Sequence, residues 1–130
     1  MTTYNLPTKP ETMTRKCDTD LSEKIYHFAM FEDTDEGIVN ISDGTAIFSV
    51  ILQEGADGSV AEKEITVAFA GTSFLELGGT VNNGDMIKAH TDGMGVEADT
   101  DTDFCQAIAL ADGVDGDIIP VAITHFTLSV

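Results

Sequence analysis

The 130-residue sequence is poor in positive charge. Six lysines and arginines stand against 23 aspartates and glutamates, and the formal net charge at pH 7 is −17. Residues 1–24 are neutral, so residues 25–130 carry the whole negative excess. A body this acidic repels phosphate groups, which argues against direct binding to nucleic acid. Two explanations stay open: solubility or a salty habitat, and a position on an outer surface away from packaged nucleic acid.

Long apolar runs and cysteines are also scarce. No run approaches the roughly 20 apolar residues that span a bilayer, and no charged leader precedes an apolar segment, so we expect neither a membrane span nor a signal peptide. Two cysteines are too few for a disulfide framework. Cys17 lies in a polar segment and Cys105 in an apolar run, and we expect both to be free thiols.

Motifs that carry catalysis are missing. The sequence has no Gly-x-Ser-x-Gly elbow, no Walker loop and no Rossmann glycine pattern. His27, His90 and His125 have no cysteine or second histidine at a metal-ligand spacing. We therefore predict that the chain is not an enzyme and needs no cofactor.

The acidic segment Asp99–Asp103 begins like an EF-hand calcium loop. Phe104 stands where that loop needs a glycine, and Leu110 stands where it needs a bidentate carboxylate. We therefore predict a solvated loop and no specific metal site. Weak binding of divalent cations stays open for a second acidic group, Asp112, Asp115 and Asp117.

What the sequence does contain is short apolar runs separated by turn residues. Four such runs between Gly84 and Thr124 alternate with segments of Gly, Asp, Thr and His, a pattern typical of β-hairpins. Asp92-Gly93 is a strong hairpin signal because glycine adopts the positive φ of a tight turn. The four runs are Met86–Ala89, Met94–Ala98, Phe104–Leu110 and Ile118–Ile123.

A similar block comes earlier in the chain. It contains matching apolar runs and a matching Asp-Gly turn, and the aligned pairs are Phe48 with Phe104, Asp57-Gly58 with Asp115-Gly116, and Ile65–Ala68 with Ile119–Ala122. We predict an all-β fold, a small barrel or sandwich built from two pseudo-repeated half-sheets. The domain would span residues 21–130, with halves at about 21–71 and 84–124 joined by Gly71–Asn83.

The end of the chain has two features of its own. Pro120 lies inside an apolar run, and because proline lacks a ladder donor we expect it at a sheet edge or a bulge. His125–Val130 alternates polar and apolar residues, which predicts a final half-buried strand or one that pairs with another chain.

Residues 1–20 hold two prolines and few large apolar groups, of which Tyr4, Leu6 and Met13 are the most obvious. Such a segment cannot bury enough surface alone to offset its ordering entropy. We predict an extended N-terminal arm. It is either a disordered tail or a segment that orders on a partner, with Tyr4, Leu6 and Pro7 as the adhesive part.

An ordered set of motifs across residues 20–124 resembles the capsid decoration (cement) proteins of tailed phages. In that family a start of the form "DLS-K-Y-F" precedes strands of the form "GD-(L/V/I)" and "IG-A-L-A" and a closing "GD-(I/V)-(I/V)-P-V". The corresponding segments here are Asp20–Phe28 (DLSEKIYHF), Asn83–Ile87 (NGDMI), Thr91–Gly93 (TDG), Ile108–Ala111 (IALA) and Gly116–Val121 (GDIIPV).

The resemblance implies a structural virion protein, made in the host cytoplasm, that binds the outer surface of an expanded phage capsid. It would bridge subunits of the major capsid protein, commonly as a homotrimer, and stabilise the head against internal DNA pressure. Neither a nucleic acid nor a membrane would be a partner. The alternatives are a head-fibre or host-adhesion protein, and a small soluble β-barrel binding module.

Two groups of residues follow from this resemblance. The arm residues expected to contact the capsid are Tyr4, Leu6, Pro7 and Met13. Because three acidic bodies repel one another at close range, a trimer contact should be apolar or salt-dependent. Its expected residues are Ile119, Pro120, Val121, Phe126, Leu128 and Val130.

Overall fold

The computed structural model describes residues 8–32 and 38–129, which contain nine β-strands and no helix. The all-β prediction is therefore confirmed, and this part of the chain has no helix that could cross a membrane. The strands are β1 (Pro10–Cys17), β2 (Phe28–Phe31), β3 (Val39–Ile41), β4 (Val50–Leu52), β5 (Lys63–Glu76), β6 (Met86–Ala89), β7 (Gly95–Glu97), β8 (Phe104–Ala109) and β9 (Ile118–Thr127).

The strands form one continuous sheet in two halves with the same topology. The first half runs β3-β2-β4-β5-β1 and the second runs β7-β6-β8-β9-β5, and the pairs within both halves are antiparallel. Isolated parallel bridges join the outermost strands of each half, at Lys16 with Ile38 and at Leu77 with Gly95. Each half is therefore strongly curled and barrel-like.

The long strand β5 belongs to both halves. Its first part pairs with β1 and β4, and its second part, from Thr72 to Glu76, pairs with β9. The segment after Gly71 was expected to be a linker, but its first residues continue the strand. The reason is that Leu75 and Leu77 are fully buried at alternate positions, as a strand that covers a core requires.

Part of the segment expected to form an arm is strand β1, which pairs with β5 from Pro10 to Cys17. Cys17 is fully buried, and Met13 packs against the core of the first half. A mostly polar segment can enter the sheet in this way because its partner strand satisfies the backbone hydrogen bonds. Only the residues that face inward need to be apolar.

Two hydrophobic cores fill the two halves. The core of the first half contains Cys17, Leu21, Ala29, Val39, Val50, Leu52, Ile65 and Val67. The core of the second half contains Leu75, Leu77, Val81, Ile87, Ala89, Ala107, Ala109, Ala111, Ile119 and Val121, together with Phe28 and Ile51 from the first half. Strands β2 and β4 therefore separate the cores, because successive strand residues point to opposite sides.

Pro120 lies in the regularly paired part of an inner strand, whereas the sequence predicts a sheet edge or a bulge. It pairs with Phe74 of β5, and its carbonyl oxygen accepts a hydrogen bond from the N–H of Leu110 at 3.0 Å. Leu110 directly follows the last residue of β8. Because the N and O of one strand residue point to the same side in an antiparallel pair, the missing donor faces the end of the β8 ladder.

Candidate functional site

Of the residues predicted to contact a capsid, one lies within the described part of the chain and three lie outside it. Tyr4, Leu6 and Pro7 lie outside the described residues. Met13 is half-buried on β1, where its side chain contributes to the core of the first half. The described part of the predicted arm is thus integral to the sheet.

The residues predicted at an oligomer interface lie on β9 and just beyond it. Ile119, Pro120 and Val121 are consecutive and all buried, so both faces of β9 are covered here by the chain itself. The sequence predicts an exposed face for these residues, because an apolar run does not show whether other parts of the chain cover both faces of the strand. Phe126 is 41% exposed and Leu128 is buried. The final residue of the predicted set, Val130, lies outside the described residues.

Neither cysteine is placed for reactivity. Cys17 and Cys105 are free and fully buried, and burial raises the pKa of both thiols. The thiolate is the nucleophilic form of cysteine, so both side chains act as small core residues. Among residues 8–32 and 38–129, no group of three or more His, Cys, Asp or Glu side chains is arranged to hold a metal ion.

Several aspartates of the chain close turns. In three Asp-x-Ser/Thr segments the carboxylate accepts hydrogen bonds from the backbone N–H and the hydroxyl of the residue two positions later, at Asp20, Asp43 and Asp57. The hydroxyls of Thr45 and Ser59 lower the pKa of Asp43 and Asp57. These two turns therefore contribute stability above the ordinary carboxyl pKa and lose it as the pH falls through the lowered values.

One acidic contact opposes folding. Repulsion from Asp85 raises the pKa of Glu97, which is exposed on β7. A carboxyl group whose pKa is raised by folding destabilises the fold at neutral pH, and this cost disappears below its ordinary pKa of about 4.5. We expect Glu97→Gln to raise the melting temperature at pH 7 and to leave it unchanged at pH 4, as measured by circular dichroism.

The control for this variant is Glu62→Gln, which removes the same charge from an exposed residue on the β4–β5 connection. It separates the local repulsion from the general effect of a less negative chain. An equal gain in melting temperature for both variants would contradict the pairing of Glu97 with Asp85.

A cleft of about 300 Å³ lies where a loop of the first half meets β6 and the start of β8. The residues that line it are Asp43, Gly44, Thr45, Lys88, Ala89, His90, Thr91, Thr102, Asp103 and Phe104. Burial alone would raise the pKa of Asp103, but the N–H of Thr100 and the ammonium of Lys88, 3.1 Å away, outweigh it and lower the pKa. This carboxylate is thus fixed as a charged structural group.

The histidine in the cleft does not form a proton relay. The hydroxyl of Thr91 and the carboxylate of Asp92 both lie 3.4 Å from the same ring nitrogen, Nδ1 of His90. A Ser-His-Asp type of arrangement needs the two partners on opposite ring nitrogens. The His90 side chain is also half-exposed, so the geometry does not favour catalysis.

A row of stacked side chains, made by Arg15, Phe31, Phe48 and His125, lies on the surface. We call this row, together with the exposed Ile47 that precedes Phe48 in the chain, the aromatic ridge. The rings of Phe48 and His125 stack with centroids 4.0 Å apart and planes 22° apart. Phe31 stacks on Phe48 with centroids 6.2 Å apart, and the guanidinium of Arg15 lies over the Phe31 ring. Ile47 is 69% exposed, and both phenylalanines are more than one-third exposed.

The loop that carries Phe48 is held by buried hydrogen bonds. The side-chain amide of Gln106, 1% exposed, accepts the N–H of Ser49 and donates to the carbonyls of Ala46 and Ile47. His125 donates from Nε2 to the carbonyl of Ser49 at 2.8 Å. Because a neutral buried amide costs free energy unless it is paired, these contacts fix the loop and so fix the ridge.

Sequence reasoning missed the ridge. Phe48 was aligned with Phe104 as a strand residue, but β4 begins only at Val50, so Ile47 and Phe48 lie on the loop before it. The sequence does contain a signal for this loop. Ser42, Asp43 and Gly44 precede the apolar run and favour a loop, so the first apolar residues after them can lie outside a strand.

Comparison with known proteins shows a likeness to a solved structure. No protein-family model matches the chain, and no curated protein sequence matches it. Among solved structures, the crystal structure of the head fiber gp8.5 N base of bacteriophage phi29 matches with a TM-score of 0.72 and 13% sequence identity. The match covers 93% of this chain and 99% of that one. The two chains therefore share one all-β fold along nearly their whole lengths.

Proposed function

We propose that the chain is a structural protein of a phage head, bound to the outer surface of the expanded capsid, where it bridges subunits of the major capsid protein. The observation that carries the proposal is the shared fold with a head-fibre base, which extends over nearly all of both chains. The motifs in residues 20–124 that resemble capsid decoration proteins are a second support for the proposal. Nucleic acid, membranes and catalysis have no part in the proposal.

The physical effect would be linkage between binding and shell stability. A protein that binds only the assembled shell stabilises it by RT ln(1 + [L]/Kd) for each site. A nanomolar contact corresponds to about 12 kcal/mol of binding free energy. Many such contacts on one head would oppose the pressure of packaged DNA, while the acidic body, with its net charge of −17, faces water.

A homotrimer remains the proposed oligomeric state. Ile119, Pro120 and Val121 are buried. Among the expected interface residues of β9, Phe126 is therefore the exposed one. The contact between copies would therefore be small on this strand, and the repulsion between acidic bodies would make it salt-dependent.

A second candidate function is the base of a head fibre that contacts the host. The structural likeness to a head-fibre base favours it. In this case purified protein would bind host cells or their glycans. Loss of the protein would reduce infectivity without changing the strength of the head.

The test uses heads produced in the absence of this protein. We expect the purified chain to pellet with these heads, and we expect decorated heads to release their DNA at a higher temperature than bare ones. The controls are buffer alone and an unrelated acidic protein of similar size. If the chain stays in the supernatant at micromolar concentration, the proposed function is wrong.

A further inference from the structure

The aromatic ridge is unusual on so acidic a chain. It combines two exposed phenylalanines and an exposed isoleucine with a guanidinium, and these come from β1, β2, the loop before β4 and β9. Large apolar side chains that cluster on a surface in a fixed arrangement are typical of interaction sites. The buried amide of Gln106 supplies that fixed arrangement.

The stacking limits what the ridge can bind. His125 covers a face of the Phe48 ring, Phe31 stacks nearly parallel to it, and Arg15 covers a face of Phe31. A sugar ring or a nucleic-acid base binds by stacking on an open aromatic face. The ridge instead offers the exposed parts of Phe31 and Phe48 and the side chain of Ile47, which fit between the apolar side chains of a protein surface.

The ridge itself carries one positive charge and no acidic side chain. This charge is Arg15, whose guanidinium lies over the Phe31 ring, on a chain whose net charge is −17. A carboxylate on a protein surface would be repelled by most of this molecule and attracted to Arg15. Charge complementarity of this kind orients a docking protein.

We infer that the aromatic ridge is the surface by which the chain docks on the outside of the capsid shell, against a site of the capsid protein that offers apolar side chains and carboxylates. This inference rests on the proposed function and names the contact face for it. Ile47 and Phe48 insert as the apolar anchor, and Arg15 pairs with a carboxylate of the shell.

The experiment measures binding of purified variants to heads that lack this protein, by co-sedimentation. Ile47→Glu and Arg15→Glu change the ridge. The matched control for the first is Val60→Glu, which adds the same charge to an almost fully exposed side chain beyond the opposite end of β4. The control for the second is Lys24→Glu, which reverses a charge on the turn before β2. Circular-dichroism melting verifies that all four variants fold.

We expect about a tenfold or greater loss of affinity for each ridge variant and little change for the controls, as for a central anchor of an interface. If the wild-type chain binds and the ridge variants bind equally well, the docking inference is overturned and the proposed function stands. If the wild-type chain does not bind, both fail. If the ridge variants alone change the molecular mass measured by light scattering, the ridge joins copies of this chain, and the inference is overturned.

Discussion

Replacing Phe28 with alanine should lower the free energy of unfolding by about 3–5 kcal/mol. Phe28 is fully buried and belongs to β2 of the first half, but its side chain packs in the core of the second half. Its loss leaves a cavity in the core of the second half. The measurement is chemical denaturation followed by circular dichroism at pH 7.

The control for this prediction is Phe126→Ala, since Phe126 is 41% exposed on β9. Its truncation should cost less than about 1 kcal/mol, as for most exposed substitutions. A similar cost for both variants would contradict the burial of Phe28 in the core of the second half.

Replacing Gly71 with alanine should cost about 2–5 kcal/mol, as the sum of backbone strain and overpacking. Gly71 lies in β5 with a φ of 82°, in the region that glycine adopts readily and other residues adopt at a cost. A Cβ atom at this position would lie 2.3 Å from the carbonyl oxygen of Lys9. The neighbouring backbone would have to move, which would disturb the pairing of β1 with β5.

Gly84→Ala is the matched control for Gly71→Ala. Gly84 has a φ of 92°, but a Cβ atom there would meet no atom within 4 Å. This variant should therefore show the conformational cost alone, about 1–2 kcal/mol. Denaturation curves of the two variants give the difference in their free energies of unfolding. An equal loss of stability in both would show that the Lys9 backbone does not restrict residue 71.

The second half of the fold could be read from the sequence nearly strand by strand. Met86–Ala89 was predicted as a strand with the bounds that β6 has, and the Asp92-Gly93 turn lies in the β6–β7 hairpin with a φ of 83° at Gly93. Short apolar runs bounded by turn residues were sufficient here because local pairing decides the structure.

The strands that join distant parts of the chain could not be read in this way. β1 is polar at most positions, and its partner residues on β5 lie 46 (Cys17 to Lys63) to 61 (Pro10 to Gly71) residues away. The second part of β5 follows Gly71, which local rules treat as a break. In both places long-range pairing and burial outweigh the local pattern. The local pattern does not show which distant segments pair with each other.

The candidate surface could be predicted even less well. The expected interface residues are apolar, but the hydrophobic core also requires apolar side chains. Ile119 and Val121 lie in the core of the second half. The ridge depends on tertiary contacts: Phe31, Phe48 and His125 come from three separate parts of the chain. Only the fold brings these rings together.

Electron cryo-microscopy of heads with and without this protein tests the central claim most directly. The account predicts extra density on the outer surface of the shell, into which the two-halved β domain fits with its aromatic ridge toward the capsid protein. Heads with and without the protein that show the same density would contradict it.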